Sequence, residues 1–116
     1  MIIYNNIIPF KGYLALNLFG VIFIRNKVKT FSEYYQKVIL NHEQIHTKQY
    51  QELGYILFLP WYVLEYLIKL CISWNFKKAY RSVSFEQEAN QFETKKTYLE
   101  KRKHYFWLQF VFKMWQ

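Results

Sequence analysis

An α+β fold, a small antiparallel sheet followed by three or four helices, is predicted by two kinds of patterning and one capping signal. Between Ile2 and Val28 the chain is rich in Ile, Val, Tyr and Phe and is punctuated by Gly12 and Gly20. That is the composition of short strands joined by turns. From Glu33 to about Leu53 there is neither Pro nor Gly, and Tyr35, Val38, Ile39 and Ile45 recur at helical spacing. Ahead of that run, Thr30-Phe31-Ser32-Glu33 matches a capping box, with a hydroxyl at the N-cap and a carboxylate three residues on.

The strand pieces are Ile2-Ile3-Tyr4 and Ile7-Ile8, closed by Pro9, then Tyr13–Phe19 and Val21–Arg25 on either side of Gly20. A helix over Tyr13–Ile24 has the length but the poorer composition. After the Glu33 helix, Leu53 to Trp74 gives 22 residues, long enough to span a bilayer. Glu65 and Lys69 would then fall near its centre, where charge is costly. The sequence therefore predicts a buried or half-embedded helix starting near Pro60, with Glu65 and Lys69 paired four residues apart on an exposed stripe. Cys71 lies within this apolar run and is read as packed. Asn75-Phe76-Lys77-Lys78 reads as a basic connector, and a further helix starts at Ser82 or Ser84 and runs to about Lys101. In the aromatic segment 103–116, Gln109, Lys113 and Gln116 share one helical line with Arg102, leaving an aromatic face opposite. That face is expected to meet a membrane or to cover a cleft. No repeat, low-complexity tract or linker divides the chain, so 1–116 reads as one minimal domain.

Composition narrows the function classes. A hydrophobic fraction of 53% excludes a disordered chain. Aromatics make up 22%, more than a small core needs, so part of that load should meet a partner, a membrane or a substrate groove. The net charge of +8 favours anionic surfaces. Lys and Arg are scattered and form no known binding motif, so nucleic acid is not expected. One cysteine excludes an internal disulfide. Met1–Asn6 lacks the basic start and small-residue cleavage site of a secretory signal, which places the expected location in the cytoplasm or on the cytoplasmic face of a membrane.

The chemistry sits in His42-Glu43-Gln44-Ile45-His46. Two histidines four apart project from one helix face, where both imidazoles can reach a single ion, and zinc is the usual occupant. Glu43 would lie beside that metal and take a proton from water the metal has made acidic. From this chain's 3 His and 8 acidic residues, the pattern arises by chance in roughly half a per cent of sequences. It also falls within a helix predicted on independent grounds, which favours zinc over a solvated face that happens to carry two histidines. Gln49 and Leu53 extend the same face, and Gln49 is a candidate to orient a ligand from behind.

A catalytic zinc needs a third protein ligand and an open position. His104 lies far downstream beside a basic cluster, without the Gly and His spacing of metzincins. Glu86-Gln87-Glu88-Ala89-Asn90 resembles the E-x-x-A-D that supplies the third ligand in membrane metallopeptidases of the prenyl-protease and heat-shock type, and in receptor peptidases that sense β-lactams. With His42, Glu43 and His46, the chain resembles a gluzincin, and its size resembles the minigluzincins. The resemblance implies a zinc site between the motif helix and the Glu86 helix, with His42, His46 and Glu86 as ligands and Glu43 as general base. It further implies Asn90, in place of the family's Asp, as hydrogen-bond partner of a ligand histidine, and peptide as substrate. In gluzincins an edge strand receives the substrate backbone, and Gly20–Arg25 is the candidate here. On the Glu86 helix, Phe85, Ala89 and Phe92 mark a buried stripe, and Glu88, about 200° round from Glu86, is expected in solvent. The rival reading is a catalytically weak or inactive zinc-binding protein at a membrane surface.

Overall fold

The computed structural model describes residues 1–8 and 13–115, and its fold is α+β. Pro9, Gly12 and Gln116, given roles above, lie outside the described residues. The strands are β1 (Ile2–Asn5), β2 (Ala15–Leu18) and β3 (Val21–Arg25), in the order β1-β3-β2. β2 and β3 form an antiparallel hairpin whose two-residue turn is Phe19-Gly20, at φ 54° and 90°. Positive φ at both central residues is the turn that matches strand twist. β1 pairs parallel to β3, Ile2 opposite Ile22. The sheet is therefore mixed, not purely antiparallel as the sequence suggests. Ile7-Ile8 is no strand: both amides donate to Asn5 Oδ1, at 2.8 and 2.6 Å, which turns the chain off the ladder.

A 3₁₀ turn (Asn26–Thr30) leads into α1 (Glu33–Glu52). The cap is Ser32, whose Oγ accepts from the Tyr35 amide at 3.3 Å. Thr30, the sequence candidate, belongs to the 3₁₀ turn and donates instead to the Lys27 carbonyl. Ile22, Ile24 and Val28 form one buried cluster beneath the sheet, with Ile39 and Leu40 of α1 packed on it. Asn17 of β2 ties the hairpin to α1: its Nδ2 donates to the Glu43 carbonyl at 2.8 Å and to Thr47 Oγ1 at 2.7 Å.

α2 (Phe58–Ser73) holds Pro60 in its first turn, as expected. Its two charges reverse the expectation. Glu65 and Lys69 pair at 2.7 Å but are 6% and 3% exposed, on the inner face. Glu65 accepts from the Ser84 amide and hydroxyl and from Trp61 Nε1. Lys69 donates to the carbonyls of Ser82, Phe110 and Lys113. A charged pair is kept inside only with such additional partners, and these have them. Cys71, expected to be packed, is exposed.

The expected basic connector is helical: Asn75 Oδ1 accepts from the Lys78 amide at 3.0 Å and starts α3 (Phe76–Ser82). α4 (Ser84–Phe92) stops well before Lys101, and α5 (Tyr98–Lys101) follows after a turn. Asn41 explains the stop, because its Nδ2 donates to the Phe92 and Glu93 carbonyls, at 3.3 and 2.8 Å, at the end of α4. The aromatic tail forms a 3₁₀ turn (Phe106–Phe110) that sends Trp107 and Phe110 into the core. Trp107 packs with Tyr50, Phe58, Val83 and Phe85. Arg102, expected on a polar line, is withdrawn from solvent between Glu52 and Glu88.

Burial opposes ionisation of Glu52, but the Arg102 hydrogen bonds outweigh it and hold the carboxyl below its ordinary 4.5. A depressed folded value stabilises above the unfolded one and is lost as pH falls below it. The urea midpoint should therefore drop between pH 6 and pH 3, and Arg102→Ala should flatten that drop.

Candidate metal centre

α1 brings His42 and His46 to one face, and α4 brings Glu86 against them from its first turn. The two Nε2 atoms are 3.2 Å apart. Glu86 Oε1 lies 3.1 Å from His42 Nε2, and Glu86 Oε2 lies 3.3 Å from His46 Nε2. These side chains offer one ligand atom each within 4.8 Å of one another. His46 and Glu86 are buried, and His42 is mostly covered. A third element contributes as well: Tyr62 of α2 donates its hydroxyl to Glu86 Oε2 at 2.8 Å.

The partners behind the rings fix the tautomers. His42 Nδ1 is 2.6 Å from Glu93 Oε2, and a carboxylate accepts, so Nδ1 carries the proton. His46 Nδ1 is 2.7 Å from Gln49 Oε1. Gln49 cannot be the other way round, because its Nε2 donates to the Phe85 carbonyl at 3.1 Å and to Glu88 Oε1 at 2.9 Å. In their neutral forms, the two rings therefore aim an Nε2 lone pair at the same point that the Glu86 carboxylate faces. Three acceptors converging on one point can hold a metal ion there. Ligand atoms about 2.0–2.1 Å from a tetrahedral zinc stand about 3.3 Å apart, and the three separations here fit that edge length.

Electrostatics agree. Burial disfavours the charged form of His42, but the Glu86 and Glu93 contacts outweigh it and raise its pKa to about 10. Glu86 is held far below the carboxylate range: burial opposes this, and His46 and His42 overcome it. The site as folded thus calls for positive charge. Glu43 behaves differently. Burial pushes its pKa up, only partly offset by the histidines. It is 7% exposed, with Oε2 at 4.0 Å from His42 Nε2.

Two cavities meet at Glu43. One, of about 690 Å³, opens beside His42 and Glu93 and has apolar walls from Leu14, Phe31, Val38 and Ile39. The other, of about 390 Å³, reaches His46, Glu86, Tyr62 and Tyr80. Ala15 of β2 lines both.

The structure brings His42, Glu43, His46, Gln49 and Glu86 together but not Asn90, which is exposed. Its expected place behind a ligand histidine is taken, at His42, by Glu93, seven residues after Glu86 and so on the same helical side. Glu88, expected in solvent, is fully buried and receives Arg102, Tyr98 and Gln49. Gly20–Arg25 is not an edge either, since β3 lies between its neighbours; β2 is the edge on the α1 side. His104 is 89% exposed and approaches Glu52, away from the cluster. Tyr62 carried no sequence signal that set it apart from ten other tyrosines.

Comparison with protein-family models, with curated proteins and with solved structures gives no match. Fold and site together define an α+β domain with a buried His-His-Glu group able to hold a metal ion. Among the described residues, no helix is long and apolar enough to cross a membrane.

Proposed function

We propose that this protein hydrolyses peptide bonds in the manner of a gluzincin, with zinc held by His42, His46 and Glu86 and with Glu43 as general base. One observation carries the reading: a buried carboxylate, one residue along the helix from a candidate ligand, lines both cavities that meet at the His-His-Glu group. When bound, zinc supplies a Lewis acid that polarises a carbonyl and makes water acidic.

The remaining work falls to the chain. Glu43 Oε2 accepts the proton of the attacking water and passes it to the leaving amine nitrogen. Its raised pKa suits that task, because the protonated intermediate stage is not costly in this surrounding. Glu93 and Gln49 hold the imidazoles with Nε2 towards the metal, and Tyr62 fixes the Glu86 carboxylate. The apolar walls of the 690 Å³ cleft suit a hydrophobic substrate side chain. Strand addition of the substrate backbone is assigned to the β2 edge, since β3 is central.

Protein expressed with ample zinc should carry one zinc per chain, and a peptide-library digest should show cleavage. Glu43→Gln should keep the metal and the fold and reduce hydrolysis by about 10²–10⁴-fold or more. Absence of metal above background from the parent would end the peptidase reading. Loss of metal from Glu43→Gln would end the role given to Glu43.

A further inference from the structure

α2 is amphipathic in the reverse of the usual sense. A surface helix turns its apolar stripe to the core and its charges to water. Here the charged residues Glu65 and Lys69 face inward, and no exposed residue of α2 carries a charge, an amide or a hydroxyl. At 100° per residue, Val63, Leu64, Leu67, Ile68 and Ile72 fall within about half the circumference. Their exposures run from 50% at Leu67 to 64% at Ile72. The apolar surface continues past the helix end through Trp74 and Phe76, which are 89% and 73% exposed. Beside it lies an apolar groove of about 300 Å³, bordered by Leu64, Ile68 and Phe112. Contiguous apolar surface on this scale marks an interaction site.

Charge decides what covers it. Of the eight glutamates, Glu43, Glu52, Glu65, Glu86 and Glu88 have side chains no more than 9% exposed. Most of the carboxylates are thus spent inside the fold, and the surface charge is mainly cationic. Between Gly54 and Ser84 the only acidic residue is the buried Glu65, while Lys77 and Lys78 stand exposed directly after Trp74 and Phe76. Tryptophan and lysine beside an apolar helix face are the groups that settle at a lipid headgroup boundary. A second copy on this face would bring like cationic rims together, whereas an anionic leaflet neutralises them.

We infer that the outer face of α2 and the Trp74–Lys78 turn dock this protein on an anionic lipid bilayer, with α2 lying in the plane of the interface. Sixteen residues with two inward charges make it a helix that rests on the membrane, not one that crosses it. The docking is independent of the zinc chemistry.

The test is co-sedimentation of the full chain with vesicles of phosphatidylglycerol and phosphatidylcholine, beside phosphatidylcholine alone. The parent should bind the anionic vesicles, more weakly as salt rises, with a blue shift of tryptophan emission. Leu64→Glu/Ile68→Glu should weaken that binding at least tenfold, and Lys77→Ser/Lys78→Ser by roughly fivefold per lysine. All four positions are exposed, so circular dichroism and melting should match the parent. If the leucine–isoleucine variant fails to fold, the lysine pair decides alone. Failure of the parent to sediment with anionic vesicles overturns the proposal, as does parent-like binding by the variants. A parent dimer that Leu64→Glu/Ile68→Glu disperses, without vesicle binding, overturns it in favour of a second copy.

Discussion

Glu88→Ala is expected to destabilise the fold by about 3–5 kcal/mol, the range for breaking a buried ion pair from one side. Glu88 is 0% exposed and is the shared acceptor of three donors from different parts of the chain. Arg102 reaches it through Nε at 2.5 Å and Nη2 at 3.0 Å, Tyr98 through its hydroxyl at 2.6 Å, and Gln49 through Nε2 at 2.9 Å. Alanine removes the acceptor and leaves a buried guanidinium held by Glu52 alone. With total stabilities of about 5–15 kcal/mol, such a loss takes a large share. Urea unfolding should show a much lower midpoint with an unchanged slope. Glu88→Gln, which keeps the shape and one acceptor oxygen, should lose less. An alanine variant that unfolds at the parent's midpoint would show that the network contributes nothing net.

The same residue shows where sequence reasoning works and where it stops. The period of the apolar residues places α1, and the spacing of His42, Glu43 and His46 then follows from helix geometry alone. Glu86 came within reach through the resemblance of its segment to E-x-x-A-D, and Phe85 and Ala89 beside it, both fully buried, mark the stripe that keeps it near the core. Glu88 points the other way round α4, and on a helix with one covered side that means solvent. α4 is covered on two sides, by α1 and by the returning tail. The tail's path is set by Trp107 entering the core and by Arg102 following it, a tertiary event with no local signature. The inversion of α2 escaped for the same reason. A Glu–Lys pair four apart reads as a surface pair until Ser82, Ser84 and Phe110 arrive from other elements to receive it. The hairpin was legible from Gly20, but the parallel pairing of β1 rests on contacts twenty residues away.

Glu86→Ala is expected to reduce zinc affinity by well over a hundredfold while leaving the chain folded, the opposite of Glu88→Ala two residues on. Glu86 is the one carboxylate that faces both Nε2 lone pairs, at 3.1 and 3.3 Å. Without it two neutral imidazoles remain, and two ligands do not hold zinc as three do. The structural loss is smaller, because what Glu86 holds besides the histidines is the Tyr62 hydroxyl, at the edge of an open cavity. Glu93 supplies the internal standard. It touches His42 at Nδ1, on the far side of the ring from the metal position, so Glu93→Ala should cost about 10–100-fold, as a group that orients a ligand does. Competition against a chelator of known affinity, on variants whose melting has been checked, ranks the three. The order Glu86 then Glu93, with Glu88 altering stability first, supports the ligand set His42, His46 and Glu86. A larger affinity loss for Glu93→Ala than for Glu86→Ala would move the carboxylate ligand to Glu93 and turn His42 round to coordinate through Nδ1.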